Sequence, residues 1–241
     1  MDSSTSSRSR ETSLRMRTKV IPLGIAIGLV ALPLLRGQQS PTPSASPSAT
    51  PRSVRLSFLP PPMEGTISLG IYDDADQLVR VLHQESEVDE FSIGADALVT
   101  KWDGKDNDGY DLPAGKYSAR GFLVAPMKVE EIGRTESVVF VDPPDFVRVK
   151  LVANPLENNE RPIVDLQAGC DDENAYIRTK DGLPLVTVMN TGEILGTDAA
   201  LMQDPDKSLH VFVRTDKTTR EFRVTGITKM MGFDCGEFEL K

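Results

Sequence analysis

Acidic side chains crowd into the motif W-D-G-K-D-N-D-G at residues 102–109. Carboxylates two residues apart, such as those of Asp106 and Asp108, are typical of the ligands in an EF-hand calcium loop. If these two aspartates take loop positions three and five, however, Gly104 and Gly115 fall at positions one and twelve, where the loop requires carboxylates. The weak calcium candidate that remains consists of Asp103, Asp106 and Asp108.

The same motif favours a tight turn over a metal site. Gly104 and Gly109 supply the positive φ angles that sharp turns need, and the aspartate and asparagine side chains can accept hydrogen bonds from nearby backbone amides. A second turn follows at residues 112–115, L-P-A-G. We therefore expect this acidic stretch to be structural and the protein to carry no cofactor.

No catalytic constellation can be recognised in the sequence. The two histidines, His83 and His210, lie in separate regions, and neither belongs to an H-E-x-x-H arrangement or to a nucleophile motif. We expect His83 to be a solvated strand residue and His210, within a β-branched run, to be a hydrogen-bonded sheet residue. Two carboxylates are enough to hydrolyse a glycosidic bond, but no motif singles out such a pair. The sequence thus predicts a protein that is not an enzyme and has no catalytic residue.

Cys170 and Cys235 are the two cysteines of the chain, and they allow a single intramolecular disulfide. In an oxidising compartment such a bond would persist, and the chain-entropy model values it at about 4 kcal/mol of stability. We therefore predict a Cys170–Cys235 disulfide, with two buried unpaired thiols as the alternative.

The first 37 residues indicate export. A basic stretch at residues 8–19 precedes residues 20–35, a run of sixteen residues without a charge. Because a positive n-region followed by an apolar h-region has this order, we predict that residues 1–37 are a signal peptide or a membrane anchor that meets the membrane through residues 20–35. No small-residue cleavage site follows Leu35, so a cleaved and an uncleaved form both stay open. The flanking charges place the folded part outside the cytoplasm, anchored or secreted.

Charge and composition separate this segment from the remainder. Residues 1–37 carry a net charge of +4 and residues 38–241 a net charge of −13, which predicts repulsion from nucleic acid and from anionic membrane surfaces. Residues 38–52, Q-Q-S-P-T-P-S-A-S-P-S-A-T-P-R, cannot bury enough apolar area to fold. We interpret them as a disordered Pro/Ser/Thr linker, which is either a spacer next to the membrane or a tail without a role.

Period-two alternation predicts strands across residues 53–126. In T-I-S-L-G-I-Y-D, residues 66–73, Ile67, Leu69 and Ile71 alternate with small or polar side chains, as in a half-buried strand. An acidic turn at residues 73–77 then leads into L-V-R-V-L. Further strands are expected at residues 97–102, which end in Trp102, and from residue 116, where K-Y-S-A-R-G-F-L-V alternates again.

At residues 53–125 the sequence resembles the immunoglobulin-like domain of the flagellar hook-capping (FlgD) family. The motifs that carry the resemblance appear in the order and spacing of that family: I-Y-D at residues 71–73, L-V-R at 78–80, W-D-G-K-D at 102–106, Gly109, and L-P-A-G-K-Y at 112–117. The resemblance implies an immunoglobulin-like β-sandwich at residues 53–126 that serves as a structural and interaction module without a catalytic residue. Asp76 stands where the family usually has glycine, so a strained left-handed turn is expected there.

Residues 127–241 are predicted to form a second small all-β unit. The strand candidates are residues 137–141, 146–152, 163–166, 175–179, 185–189, 209–214 and 221–227. Within this unit, residues 176–188 and 212–224 look like copies offset by 36 residues, which approaches the period of a propeller blade. A propeller needs about four blades to close, so two ordinary hairpins in a second sandwich are preferred. A shortened relative of a propeller protein is the alternative.

These observations together predict a non-catalytic bacterial cell-envelope protein that acts as a structural, adhesion or binding module. Its expected partner is an envelope protein or a cell-wall glycan. The alternative is a carbohydrate-active or other hydrolytic envelope enzyme. A deep pocket with a buried, pKa-shifted carboxylate or histidine would favour the enzyme, whereas sandwiches with functional loops would favour the binding module.

Overall fold

The computed structural model describes residues 52–136, 146–156, 162–190, 198–215 and 218–241. All of them belong to one compact unit that spans Ala49–Lys241. The predicted signal or anchor segment, the predicted linker apart from Arg52, and the strand candidate at residues 137–141 lie outside the described residues.

The described chain consists of antiparallel β-strands, which confirms the predicted all-β class. Within the described ranges the only helical segment is a single 3-10 turn at Val88–Glu90. The strands, numbered along the chain, are β1 (Val54–Phe58), β2 (Thr66–Tyr72), β3 (Leu78–Ser86), β4 (Ser92–Ile93), β5 (Leu98–Trp102), β6 (Gly115–Val124), β7 (Lys128–Thr135), β8 (Val147–Lys150), β9 (Ile163–Cys170), β10 (Asn174–Thr179), β11 (Pro184–Asn190), β12 (Asp198–Gln203), β13 (Leu209–Arg214), β14 (Thr219–Thr225) and β15 (Met230–Leu240).

Two of the four sheets in the described ranges form what we call the first sheet pair. One has the strand order β1-β5-β4 and the other the order β15-β6-β2-β3. Their apolar side chains share one buried cluster, so the pair is β-sandwich-like. Its members include Leu56, Phe58, Ile67, Leu69, Ile71, Phe91, Leu98, Trp102, Tyr117, Ala119, Leu123, Phe233 and Leu240.

The other two sheets form the second sheet pair, with the orders β11-β10-β9-β8 and β12-β13-β14-β7. A separate apolar cluster joins them, and it draws on every strand of the pair, β7 through the half-buried Val129. The two sequence copies form the hairpins β10-β11 and β13-β14, one in each sheet of this pair. The copies are therefore hairpins that share a core.

The last strand, β15, belongs to the first sheet pair although it lies at the end of the segment assigned to the second unit. It pairs with β6 over its whole length, from Met230 opposite Val124 to Leu240 opposite Gly115, with a bulge between Asp234 and Glu237. Met230 contributes to the core of the second sheet pair, whereas Phe233 contributes to that of the first. This strand, which the period-two pattern did not single out, links the two cores.

Strand β2 is buried on both faces, unlike the half-buried strand that its alternation predicts. Ile67, Leu69 and Ile71 face the first core, but Ser68 and Tyr72 are buried as well. The reason is that the side chains of β3 and β6 on the outer face, among them Val81 and Phe122, pack against the second cluster. The central sheet of the first pair is thus covered from both sides.

Candidate functional site

The acidic motif at residues 102–109 forms the expected turn. Asp106 Oδ1 accepts hydrogen bonds from the amides of Asp108 at 3.0 Å and Tyr110 at 2.9 Å, and Asp103 Oδ1 accepts one from the amide of Lys105 at 3.2 Å. Gly104 and Gly109 have φ values of 78° and 85°, as the turn prediction requires. The described residues contain no group of three or more His, Cys, Asp or Glu side chains placed to hold a metal ion.

Trp102 anchors this turn to the first core. Its side chain is fully buried, its indole Nε1 donates to the carbonyl of Lys105 at 2.8 Å, and its ring meets Tyr117 and Phe238 edge-on at 5.1 and 5.8 Å. Tyr117 in turn donates its hydroxyl to the carbonyl of Pro113 at 2.9 Å. The loop is thereby held by the core beneath it.

The prediction of a left-handed turn at Asp76 is confirmed, since its φ is 64°. Asp76 also accepts a hydrogen bond from Arg120 at 2.5 Å. The same guanidinium donates to Asp181 at 3.2 Å, in the β10-β11 turn, and its Cζ lies 3.7 Å from the centroid of the Tyr72 ring. Burial, and secondarily the Asp181 carboxylate, raise the pKa of the Tyr72 hydroxyl. Arg120 therefore ties the first sheet pair to the second.

The two histidines have structural partners. His83 is half-buried rather than solvated as predicted, because its ring lies 4.3 Å from that of Phe91 and its Nε2 is 2.7 Å from Thr100 Oγ1. Burial lowers the pKa of His83.

His210 lies on the outer face of the second sheet pair. Its Nδ1 is 2.8 Å from a carboxylate oxygen of Glu221 and its Nε2 is 2.9 Å from one of Asp204. The prediction that His210 is a hydrogen-bonded sheet residue is confirmed.

No disulfide joins Cys170 and Cys235, which both lie in the described part of the chain, so the predicted bond is absent. The physical reason is that they border different cores: Cys170, at the end of β9, packs against the second cluster and Cys235, in the bulge of β15, against the first. Burial, with the carboxylates of Asp198 and Asp171, raises the pKa of the Cys170 thiol to about 11.

A cleft of about 610 Å³ opens where the two sheet pairs meet, and we call it the junction cleft. The start of β2, the end of β3, the β6-β7 connection and the middle of β11 all contribute to its walls. The aliphatic lining includes Val88, Val124, Pro126, Met127, Val129 and Leu185. A volume of this size falls in the range of about 300–1,000 Å³ that is usual for ligand sites.

Three carboxylates border the junction cleft: those of Glu64, Glu85 and Glu87. Among the described residues that line it there is no Lys, Arg or His. The surface is therefore apolar and negatively charged, which suits a ligand that is partly apolar and partly cationic.

Glu85 is the most constrained of these three residues. Its φ is 47°, in the left-handed region, its amide donates to Ser68 Oγ at 3.2 Å, and its carboxylate accepts the hydroxyl of Thr187, from β11, at 2.5 Å. A non-glycine residue in this region of backbone space costs roughly 1–3 kcal/mol and requires support from its surroundings. The hydrogen bonds to Ser68 and Thr187 give that support and fix the carboxylate at the wall of the cleft.

Reasoning from the sequence did not find the junction cleft, because its walls come from segments more than 100 positions apart. The acidic stretch E-S-E-V-D-E at residues 85–90 was the one signal in the sequence. Its carboxylates form part of a cleft only because the contact between β3 and β11 places Thr187 and Leu185 beside them.

Fold and cleft define an all-β protein with two β-sandwich-like sheet pairs and a ligand-sized cleft between them. Comparison of the chain with models of protein families, with curated proteins and with solved structures finds no match. In the described ranges no helix is long and apolar enough to cross a membrane, and the predicted membrane segment at residues 20–35 is not among them.

Proposed function

We propose that this chain is an exported, non-catalytic cell-envelope protein whose folded part binds another macromolecule outside the cytoplasm. The single observation that carries the binding role is the junction cleft, because a concave cleft of about 610 Å³ with a mostly apolar lining, placed between two sheet pairs, is the kind of site where ligands bind. The layout of residues 1–52 supports export, and the hook-capping-type motifs support an immunoglobulin-like interaction module at residues 53–126.

The non-catalytic part of the proposal is supported by the surroundings of the two histidines. His210 has a carboxylate at each ring nitrogen, and His83 lies against Phe91 and Thr100. Neither lines the junction cleft. Within the described lining of the cleft, the groups that could act as a base or nucleophile are the three carboxylates and the hydroxyls of Thr66 and Thr187. No His, Cys, Lys or Ser accompanies them there.

The purified full-length protein, immobilised in detergent, tests the binding role when it is exposed to separated envelope-protein and cell-wall glycan fractions from the cells that make it. We expect saturable retention from one fraction and no cleavage of any component. Retention from neither fraction would contradict the binding role, and release of reducing sugar or peptide fragments would contradict its non-catalytic character.

Export is tested separately by fusing a reporter that is active only outside the cytoplasm after Lys241. We expect activity, because the basic residues at 8–19 should stay inside while the following chain crosses. Reporter activity confined to the cytoplasm would contradict the envelope location.

A further inference from the structure

We propose that the junction cleft recognises a polypeptide segment that combines lysine or arginine with aliphatic side chains, an inference that rests on the proposed binding function. It narrows the partner from any envelope macromolecule to a protein with a basic, aliphatic segment. Three properties of the cleft support this choice: its apolar walls, its charge and its rigid acceptor.

The walls of the cleft match aliphatic side chains. Val124 and Leu185 form a fully or nearly fully buried floor, whereas Val88 is 41% exposed and so presents an accessible apolar surface. Met127 adds a flexible thioether side chain that can adapt to different shapes. Transfer of aliphatic groups from water into such a groove is favourable in proportion to the area that they bury.

The charge of the cleft selects for a cation. Glu64 and Glu87 are exposed at its rim, and Glu85 is half-buried in its wall. No ion pair joins these three glutamates to a Lys or Arg of the described residues, so no such pair has to be broken before a ligand cation can approach them. A ligand ammonium or guanidinium group next to the aliphatic walls would meet the half-buried Glu85 carboxylate where water screens its charge less than on an open surface.

The rigid acceptor is Glu85. Its backbone is fixed by Ser68 and its side chain by Thr187, so little conformational entropy remains to be lost when a cation binds its second oxygen. Hydrogen bonds between charged partners are also stronger than neutral ones. The Glu85 carboxylate is therefore already held in place to accept a hydrogen bond from the ligand cation.

The lining disfavours the other macromolecules. Sugar rings commonly stack on the faces of aromatic side chains, and the described lining of the cleft has no Phe, Tyr or Trp for that contact. Nucleic acid and anionic polymers are repelled by Glu64, Glu85 and Glu87. A peptide with both basic and aliphatic side chains complements the apolar walls and the negative charge of the cleft.

Methyl-detected NMR on the full-length protein in detergent tests the inference, with three probes: the capped hexapeptide acetyl-(Lys-Leu)3-amide, its counterpart acetyl-(Glu-Leu)3-amide, and a tetramer of N-acetylglucosamine. We expect the lysine peptide alone to shift the methyl resonances of Val88, Met127 and Val129 in a saturable manner. Because the chain is acidic as a whole, the position of the shifts matters more than the fact of binding.

Matched variants distinguish binding in the cleft from general electrostatic attraction of the lysine peptide to an acidic protein. The double variant Glu64→Gln/Glu87→Gln should lower the affinity for the lysine peptide at least tenfold. The control Glu173→Gln/Glu239→Gln removes two exposed carboxylates outside the cleft and should change this affinity by less than twofold. Both variants keep side-chain size, and their thermal unfolding curves check that they fold.

Any of three results would overturn the inference. The first is that both double variants weaken binding of the lysine peptide equally. The second is that the glutamate peptide or the sugar tetramer shifts the methyl resonances of the cleft, and the third is that no probe shifts them. If the cleft fails in this way while an envelope component is still retained by the immobilised protein, the proposed binding function stands and only its assignment to the junction cleft falls. If no component is retained either, both fall.

Discussion

Arg52 and Lys241 are hydrogen-bonded to each other across 189 positions of the chain, with the guanidinium Nε donating to the main-chain oxygen at 2.7 Å. The same side chain donates from Nη1 to the carbonyl of Leu112 at 2.5 Å. One residue therefore fastens the chain just before β1 to the residue just after β15 and to the turn before β6. The strands next to these two residues, β1 and β15, lie in the two sheets of the first pair.

The first prediction concerns strand β15 and tests whether residues 53–126 fold as a unit. A fragment of residues 53–126 should show no cooperative thermal transition, because it lacks β15 and with it Phe233 and Leu240 of the first core. Linking residues 230–241 behind residue 126 through a flexible spacer should restore the transition, as measured by circular dichroism. The same linked fragment with Phe233→Asp is the control and should stay unfolded. A cooperative transition of the unlinked fragment would show that β15 is dispensable.

The second prediction concerns Trp102. Trp102→Ala should lower the free energy of unfolding by about 3 kcal/mol, because it removes the largest fully buried side chain of the first core and leaves a cavity. Urea unfolding measures the change. Tyr110→Ala is the matched control, since Tyr110 is an aromatic residue of the same loop with 72% exposure and should lose less than about 0.5 kcal/mol. Similar losses for the two variants would mean that Trp102 does not anchor the core.

A third prediction compares two glycines of β6. A methyl group at Gly121 would lie 2.4 Å from the backbone oxygen of Ser68 and 2.7 Å from the Phe233 ring, whereas one at Gly115 would lie 3.9 Å from the Tyr117 ring. Gly121→Ala should therefore cost about 1–3 kcal/mol through overpacking, while Gly115→Ala should be neutral or slightly stabilising. Chemical denaturation of both variants decides the matter, and equal stabilities would contradict the close approach of β2 and β15 at Gly121.

The pH dependence of stability provides a fourth prediction, at Glu131 on β7. Hydrogen bonds from Arg220 first, and from Arg134 second, lower the pKa of this carboxyl from 4.5 to about 2. Its ionised form therefore stabilises the fold at every pH above about 4.5, and that contribution is lost as the pH falls towards 2. In urea unfolding, Glu131→Gln should be less stable than the native protein at neutral pH, and the gap should close between pH 4.5 and 2.

The control for this experiment is Glu239→Gln, which makes the same chemical change at an exposed position of β15. Its stability gap to the native protein should be small at neutral pH. A gap for Glu131→Gln that stays constant, or that widens in acid, would be inconsistent with the ion pairs to Arg220 and Arg134.

A fifth prediction concerns the reactivity of Cys170, measured in the Cys235→Ser variant so that one thiol reports. With a pKa of about 11 instead of 9.0, the thiolate fraction at pH 8 is about a hundredfold below that of an ordinary thiol. Alkylation by iodoacetamide, followed by mass spectrometry, should be correspondingly slow in the folded protein and should approach the rate of a free thiol in concentrated urea. Fast labelling of the folded protein at pH 8 would refute the burial of this thiol.

The sequence by itself determined the local elements. Alternation at residues 66–73 and 116–124 predicted β2 and β6 to within one or two residues, and the glycines of the W-D-G-K-D-N-D-G motif predicted a turn with positive φ at Gly104 and Gly109. These predictions succeed because side-chain period and allowed φ are properties of neighbouring residues. The left-handed backbone at Asp76 was expected instead from the resemblance of residues 53–125 to the hook-capping family, in which glycine usually stands at this position.

Only the tertiary structure decided which strands share a sheet and which faces are covered. Strand β15, with glycines, acidic residues and a bulge, shows no clean alternation, and it is a strand because β6 supplies its hydrogen-bonding partners. The second buried face of β2, the separation of Cys170 from Cys235 and the junction cleft around Glu85 and Thr187 all depend on contacts between residues far apart in the chain. Such contacts have no local signature, because burial of a given face depends on what the rest of the chain packs against it.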